Sequence, residues 1–152
     1  MKTVIQRVES VVLTVENKEV SRISEGLICY LGIASGDSEE ELKWMAKKVA
    51  NLRIFPDSEG KMNLSAIDKN FSILVVSQFT LFGDIKRGYR PSFSDAETPA
   101  RANDFYQNFI SALKENGIKE VKGGVFGADM TIEQINRGPV TIIIDSRDKA
   151  NT

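Results

Sequence analysis

Leu27-Ile28-Cys29-Tyr30-Leu31-Gly32-Ile33-Ala34, with Ser38-Glu39-Glu40-Glu41 close behind, decides the architecture. The first stretch is a short, unbroken apolar run and reads as a central strand. The second has the Ser-x-x-Glu spacing of a capping box, which predicts a helix start. Leu42, Met45, Val49 and Leu52 then recur at helical spacing, so this helix buries one face. Upstream, Val4, Gln6 and Val8 alternate with Ile5 and Arg7, the period of a strand. Residues 11–15 and 20–23 flank Glu16-Asn17-Lys18-Glu19, which predicts a hairpin. Downstream, residues 55–60 form a turn by their Pro, Asp and Gly, and residues 71–77 form a second buried strand. Residues 83–93 read as an exposed loop. Thr98-Pro99 opens a second helix that carries Phe105, Phe109 and Leu113 and stops at Asn116-Gly117. Residues 140–144 return to strand. Two main amphipathic helices among about seven strands predict an α+β fold with a mixed, barrel-like sheet. A single domain over residues 1–152 is expected, with the last few residues a flexible tail.

Composition narrows the chemistry. A chain of 152 residues can bury a real core. Its formal net charge is −1, so bulk electrostatics do not hold nucleic acid. Any RNA contact needs a local basic patch and a shaped pocket. No apolar run reaches the roughly 18 residues of a membrane helix, and the charged N-terminal strand pattern is not a signal peptide. A cytoplasmic location is expected, with neither membrane nor DNA as partner. Histidine is absent. That removes Ser-His-Asp and Cys-His catalysis and the commonest metal ligand. The one cysteine, Cys29, sits in the apolar run and reads as a small buried hydrophobe. It offers neither an intrachain disulfide nor a zinc site. No metal and no cofactor is expected.

Several segments carry polar chemistry. Ser77-Gln78-Phe79-Thr80 ends a buried strand where it opens into a loop, a favoured place for a site. Its hydroxyls can donate to an ester, and main-chain amides there can stabilise an oxyanion. The same hydroxyls can equally serve local backbone groups. Asn136-Arg137-Gly138-Pro139 ordinarily reads as a turn before a strand, although Gly138 admits close approach of another molecule. Residues 84–93 mix three cations with two aromatics, fit for phosphates and a base or for plain solvent. Residues 123–130 are glycine-dense but lack the Lys-Ser/Thr ending of a phosphate loop. Asp57, Glu59, Asp95 and Glu97 are loop carboxylates that nothing in the spacing pairs.

Taken in order, these strings are specific. Val4-Ile5-Gln6-Arg7-Val8, Asn51-Leu52-Arg53-Ile54-Phe55, Lys61-Met62-Asn63-Leu64-Ser65, Ser77-Gln78-Phe79-Thr80, Arg90-Pro91-Ser92-Phe93, Phe126-Gly127-Ala128 with Met130, and Asn136 with Gly138-Pro139-Val140-Thr141 stand where one family has them. The chain resembles the D-aminoacyl-tRNA deacylases over residues 1–145. The resemblance implies an enzyme that hydrolyses the ester of D-aminoacyl-tRNA. It implies a homodimer with active sites at the subunit interface, where a cis Gly138-Pro139 enters the partner's pocket and selects chirality. It implies that Ser77, Gln78, Phe79 and Thr80 line the catalytic pocket, with Met130 beside the aminoacyl group. Phe126 and Ala102 align with adenosine-pocket residues, and Arg7 with an arginine that braces the Gly-Pro loop. Two departures stand out: Arg137 replaces a usually acidic residue, and Thr131-Ile132-Glu133-Gln134 replaces a common Gln-Val-Ser-Leu.

Chiral sorting that tolerates many side chains reads the amino group, hydrogen and carbonyl against a rigid wall. Glycine lacks Cβ, so activity on glycyl-tRNA is expected. The ester is already activated, and positioning with an oxyanion hole can suffice. The resemblance suggests help from the tRNA 2′-hydroxyl rather than a Thr80 nucleophile. Two rivals remain open: an editing enzyme specialised for glycine or a mischarged L-amino acid, and a tRNA-binding module without catalysis.

Overall fold

The computed structural model describes residues 1–150. In chain order its elements are β1 (Lys2–Val15), β2 (Lys18–Ile23), β3 (Gly26–Gly32), α1 (Glu39–Ala50), β4 (Phe55–Pro56), β5 (Met62–Leu64) and α2 (Ala66–Lys69). Then come β6 (Ser72–Ser77), α3 (Pro99–Glu115), β7 (Val121–Gly123) and β8 (Thr131–Asp145). The main sheet runs β2-β1-β3-β6-β7, and β8 pairs along the other edge of β1. β3 to β6 and β6 to β7 are parallel, and the remaining pairs in this sheet are antiparallel. The mixed sheet is nearly closed, because Ser21 Oγ on β2 donates to Gly123 O on β7 at 2.8 Å.

The apolar run is continuous because β3 is buried on both faces. Leu27, Cys29 and Leu31 face a core built with Leu42, Met45 and Val49 of α1 and Phe105, Phe109 and Leu113 of α3. Ile28 faces a second core with Val8, Val11, Leu13, Leu74 and Val76, inside the curl of the sheet. The expected capping box forms: Ser38 Oγ accepts the Glu41 amide at 3.2 Å, and Glu41 accepts the Ser38 amide at 2.8 Å. Thr98 precedes α3 without a side-chain cap; Glu97 Oε1 instead takes the Thr98 amide at 2.8 Å.

Four features differ from the expectation. Residues 4–8 and 11–15 are one strand, because each half finds its own partner, β3 and then β2. The hairpin tip is two residues, Glu16 and Asn17, both at positive φ (51° and 61°). α2 was unforeseen; it is four residues long, too short for periodicity, and rests on a Ser65–Asp68 capping box. Gly138-Pro139 is not a turn before a strand but lies inside β8. Gln6 pairs with Thr141 and Val8 with Asn136, so Arg7 alone faces residues 137–140 and that stretch bulges outward. The Gly138–Pro139 peptide is cis. Of the expected tail, Lys149 is tied to Glu40, and Asn151 and Thr152 lie outside the described residues. No helix among the described residues is long and apolar enough to cross a membrane.

Candidate functional site

β6 ends at Ser77, and the Gln78 amide extends its pairing by donating to Leu31 O at 2.8 Å. The chain then turns tightly through Phe79–Phe82. This sharp exit opens a cleft of about 530 Å³ at the sheet end. Ser77, Gln78 and Phe79 form one side, Ala102 of α3 another, and Phe126 and Met130 a third. Six residues named from the sequence thus share one cavity. The walls are mostly carbon, with polar groups concentrated at the strand end, the usual balance of a small-molecule pocket.

The aromatic walls are held from behind. Phe79 packs edge-on against Phe93 with ring centroids 4.9 Å apart. Tyr106 supports the opposite side: its hydroxyl donates to Val75 O at 2.8 Å and accepts the Gly124 amide at 3.0 Å. Its ring lies 6.2 Å from that of Phe126. Burial pushes the Tyr106 phenol up, so it stays a neutral strut.

Thr80 is exposed and stands just outside the cleft lining. Its Oγ1 accepts from the Gln78 side-chain amide, and among the described residues no carboxylate or amine bonds to it. Cys29 is fully buried, and desolvation pushes its thiol far up, so it supplies no thiolate. Two of the loop carboxylates, Asp57 and Glu97, are committed to structure. Asp57 accepts the Glu59 and Lys61 amides at 2.9 and 3.0 Å. Glu97 does reach the cleft wall, but the Thr98 amide and then Arg101 hold its carboxyl below the usual range. Among the described residues, no three His, Cys, Asp or Glu side chains gather as a metal site would require.

Arg7, Gly138 and Pro139 are not on this cleft. Arg7 lines a second hollow of about 200 Å³ with Glu9, Phe55 and Arg137. There Arg7 Nε donates to Arg137 O at 3.0 Å and Nη1 to Ile54 O at 2.7 Å. The unusual Arg137 turns its guanidinium to Glu9. Gln134, the other departure, accepts from Tyr30 at 2.5 Å and donates to Gln6 at 2.8 Å and Asn136 at 2.6 Å. The near foot of the bulge is therefore tied, and past the far foot Gln6 donates to Thr141 Oγ1 at 3.3 Å, yet residues 137–139 themselves are exposed. Glycine is required at 138, since a Cβ there would lie 2.2 Å from Val140 N. Sequence reasoning missed Ile33, Ala96 and Glu97 as cleft residues, because β3 pairing with β6 carries Ile33 beside Ser77, and an Ala34–Ala96 bridge with the Glu97 amide donating to Ile33 O at 3.0 Å brings in the other two.

Comparison with known proteins shows the family. A family model described as D-Tyr-tRNA(Tyr) deacylase matches residues 4–145. The chain is 51% identical over 148 residues to the D-aminoacyl-tRNA deacylase of Dictyoglomus turgidum, covering 97% of this chain and 94% of the relative. It is 49% identical over 148 residues to that of Aquifex aeolicus, covering 97% and 99%. A solved structure described as "c-Myc DNA Unwinding Element Binding Protein" superposes with a TM-score of 0.90 at 39% identity, over 95% of this chain and 98% of that one. A probable eukaryotic D-amino acid tRNA deacylase shares the fold at a TM-score of 0.81 and 19% identity, over 94% and 97%. The family model spans nearly the whole sheet and both main helices, and the chain belongs to the D-Tyr-tRNA(Tyr) deacylase family.

Proposed function

We propose that the chain hydrolyses the ester joining a D-amino acid, or glycine, to the 3′ end of tRNA, as translation quality control in the cytoplasm. The observation that carries this reading is the gathering of Ser77, Gln78, Phe79, Ala102, Phe126 and Met130 on one cleft, in a chain without histidine. Such a cleft suits a substrate that needs placement more than a reactive side chain.

In this reading Phe126 and Ala102 take the terminal adenosine, and Met130 borders the aminoacyl group. Main-chain amides where β6 ends hold the developing oxyanion. Water adds to the carbonyl carbon and gives up a proton, the ribose 3′-oxygen leaves and takes one up, and the 2′-hydroxyl relays it. Thr80 assists by hydrogen bonding and does not attack, since no base reaches it.

Chirality is read by a second copy. Residues 137–140 of one protomer enter the cleft of its partner, so the working unit is a homodimer. Two features support this: the bulge is exposed, and it lies off its own cleft. The carbonyls of Gly138 and Pro139 then form the wall against which an L-residue drives its Cβ. A D-residue presents hydrogen there, and glycine has nothing to exclude.

Incubating the purified protein with D-tyrosyl-tRNA and with glycyl-tRNA tests the reaction. Free amino acid and intact tRNA are expected from both. Binding of either tRNA without ester cleavage would make the chain a docking module instead. Faster turnover of L-alanyl-tRNA than of either would make it an editor of mischarged L-amino acids.

A further inference from the structure

The loop at residues 84–92 is unused by the mechanism above. It is a closed unit: the Asp84 amide donates to Ser92 O at 2.8 Å, and the Ser92 amide returns to Asp84 O at 2.9 Å. Its one carboxylate, Asp84, turns inward to accept the Lys86 amide at 2.9 Å. Lys86, Arg87 and Arg90 are exposed, and none forms an ion pair among the described residues. Tyr89 at the tip is fully exposed, at 104%, and Ile85 is 67% exposed. Three exposed cations thus cluster around a bare aromatic ring on a chain whose net charge is −1.

The loop's position gives these groups a purpose. Its near foot is fixed to the strand-end turn, where the Gly83 amide donates to Thr80 O at 3.0 Å. Its far foot is Phe93, a cleft residue packed on Phe79. The cations therefore stand beside the cleft mouth. A polynucleotide whose last nucleoside fills the cleft must bring its preceding phosphates past that mouth. Phosphates attract lysine and arginine regardless of sequence, and an exposed tyrosine stacks on an unpaired base.

We propose that Lys86, Arg87 and Arg90 dock the phosphates of the tRNA acceptor end, and that Tyr89 stacks on one of its unpaired bases. This rests on the tRNA-ester reading and supplies the basic patch that the overall charge lacks.

The test compares the wild type with a Lys86→Ala/Arg87→Ala/Arg90→Ala variant and with Tyr89→Ala. Binding of uncharged tRNA is followed across salt concentrations, and kcat/KM is measured on D-tyrosyl-tRNA and on D-tyrosyl-adenosine, which has no phosphate. The triple variant is expected to lose at least tenfold in tRNA affinity and in kcat/KM on tRNA. Its plot of log affinity against log salt flattens by about 2–3, as three lost phosphate contacts require. Cleavage of D-tyrosyl-adenosine stays unchanged. Tyr89→Ala weakens tRNA binding without altering the salt slope. Wild-type affinity and slope in the triple variant would overturn the proposal, and so would an equal loss on both esters. If the wild type cleaves neither ester, the hydrolytic reading fails, while the uncharged-tRNA titration still decides the loop.

Discussion

Thr80 carries a hydroxyl beside the cleft, and its bonding shows why it is a poor nucleophile. The Gln78 side-chain amide donates to one of its two lone pairs, and among the described residues no base accepts its proton. Removing a working base or nucleophile typically costs about 10²–10⁴ in rate. Thr80→Ala is therefore expected to keep kcat within about tenfold of wild type in a deacylation assay. A thousandfold loss in a folded variant would return Thr80 to the centre of the chemistry. Gly138 sits at the opposite extreme. A Cβ there meets Val140 N at 2.2 Å, so Gly138→Ala must shift the bulge. Because residues 137–139 are exposed, thermal stability should change little, while kcat/KM on D-tyrosyl-tRNA falls at least about a hundredfold. Unchanged kinetics would separate the bulge from the reaction.

Elements matter through how they hold the cleft walls. Tyr106 on α3 joins β6 to the segment after β7 by one buried and one partly buried hydrogen bond. Tyr106→Phe leaves Val75 O and the Gly124 amide without that partner, which costs about 1–3 kcal/mol. Chemical denaturation should show that loss, and an unchanged midpoint would contradict it. Strand β8 ends in a second electrostatic tie. Hydrogen bonding from Arg147 holds the Asp145 carboxyl down to about 2, below the roughly 3.9 of an unfolded chain. A depressed carboxyl stabilises the fold above its unfolded pKa and loses that contribution as pH falls through its folded value. Asp145→Asn should thus destabilise by about 1–2 kcal/mol at pH 7, discounting for the exposed Arg147. The gap between wild type and variant should close from pH 4 down to pH 2. A gap independent of pH would assign the loss to packing.

The same elements show what a sequence can and cannot convey. β3, α1 and α3 were legible because burial writes itself into local patterns: a continuous apolar run, a capping box, and a four-residue spacing of Phe105, Phe109 and Leu113. Ser77, Gln78 and Phe79 were legible as a candidate site because a buried strand ended there in polar groups, and the cleft opens at these three, with Thr80 outside its lining. The bulge in β8 was not, since its cause is a pairing gap opposite Arg7, more than a hundred residues away in sequence. Ile33, Ala96 and Glu97 escaped for the same reason: the β3–β6 pairing and the Ala34–Ala96 bridge, both between segments distant in sequence, bring them to Ser77.

At the scale of the whole molecule, the chain offers a cleft whose polar side chains are Ser77, Gln78 and an Arg101-paired Glu97, and an exposed bulge that does not line it. The account makes these two halves of one site, completed when a second copy docks, with a basic loop guiding the RNA past its mouth. In the proposed reaction, stereochemistry rests on a wall of carbonyls rather than on any titrating group. Deacylation of matched D- and L-tyrosyl-tRNA by the purified protein is the most direct test. The account predicts release of D-tyrosine at least about a hundredfold faster than L-tyrosine, a gap of roughly 3 kcal/mol. Equal rates on the two esters would contradict it.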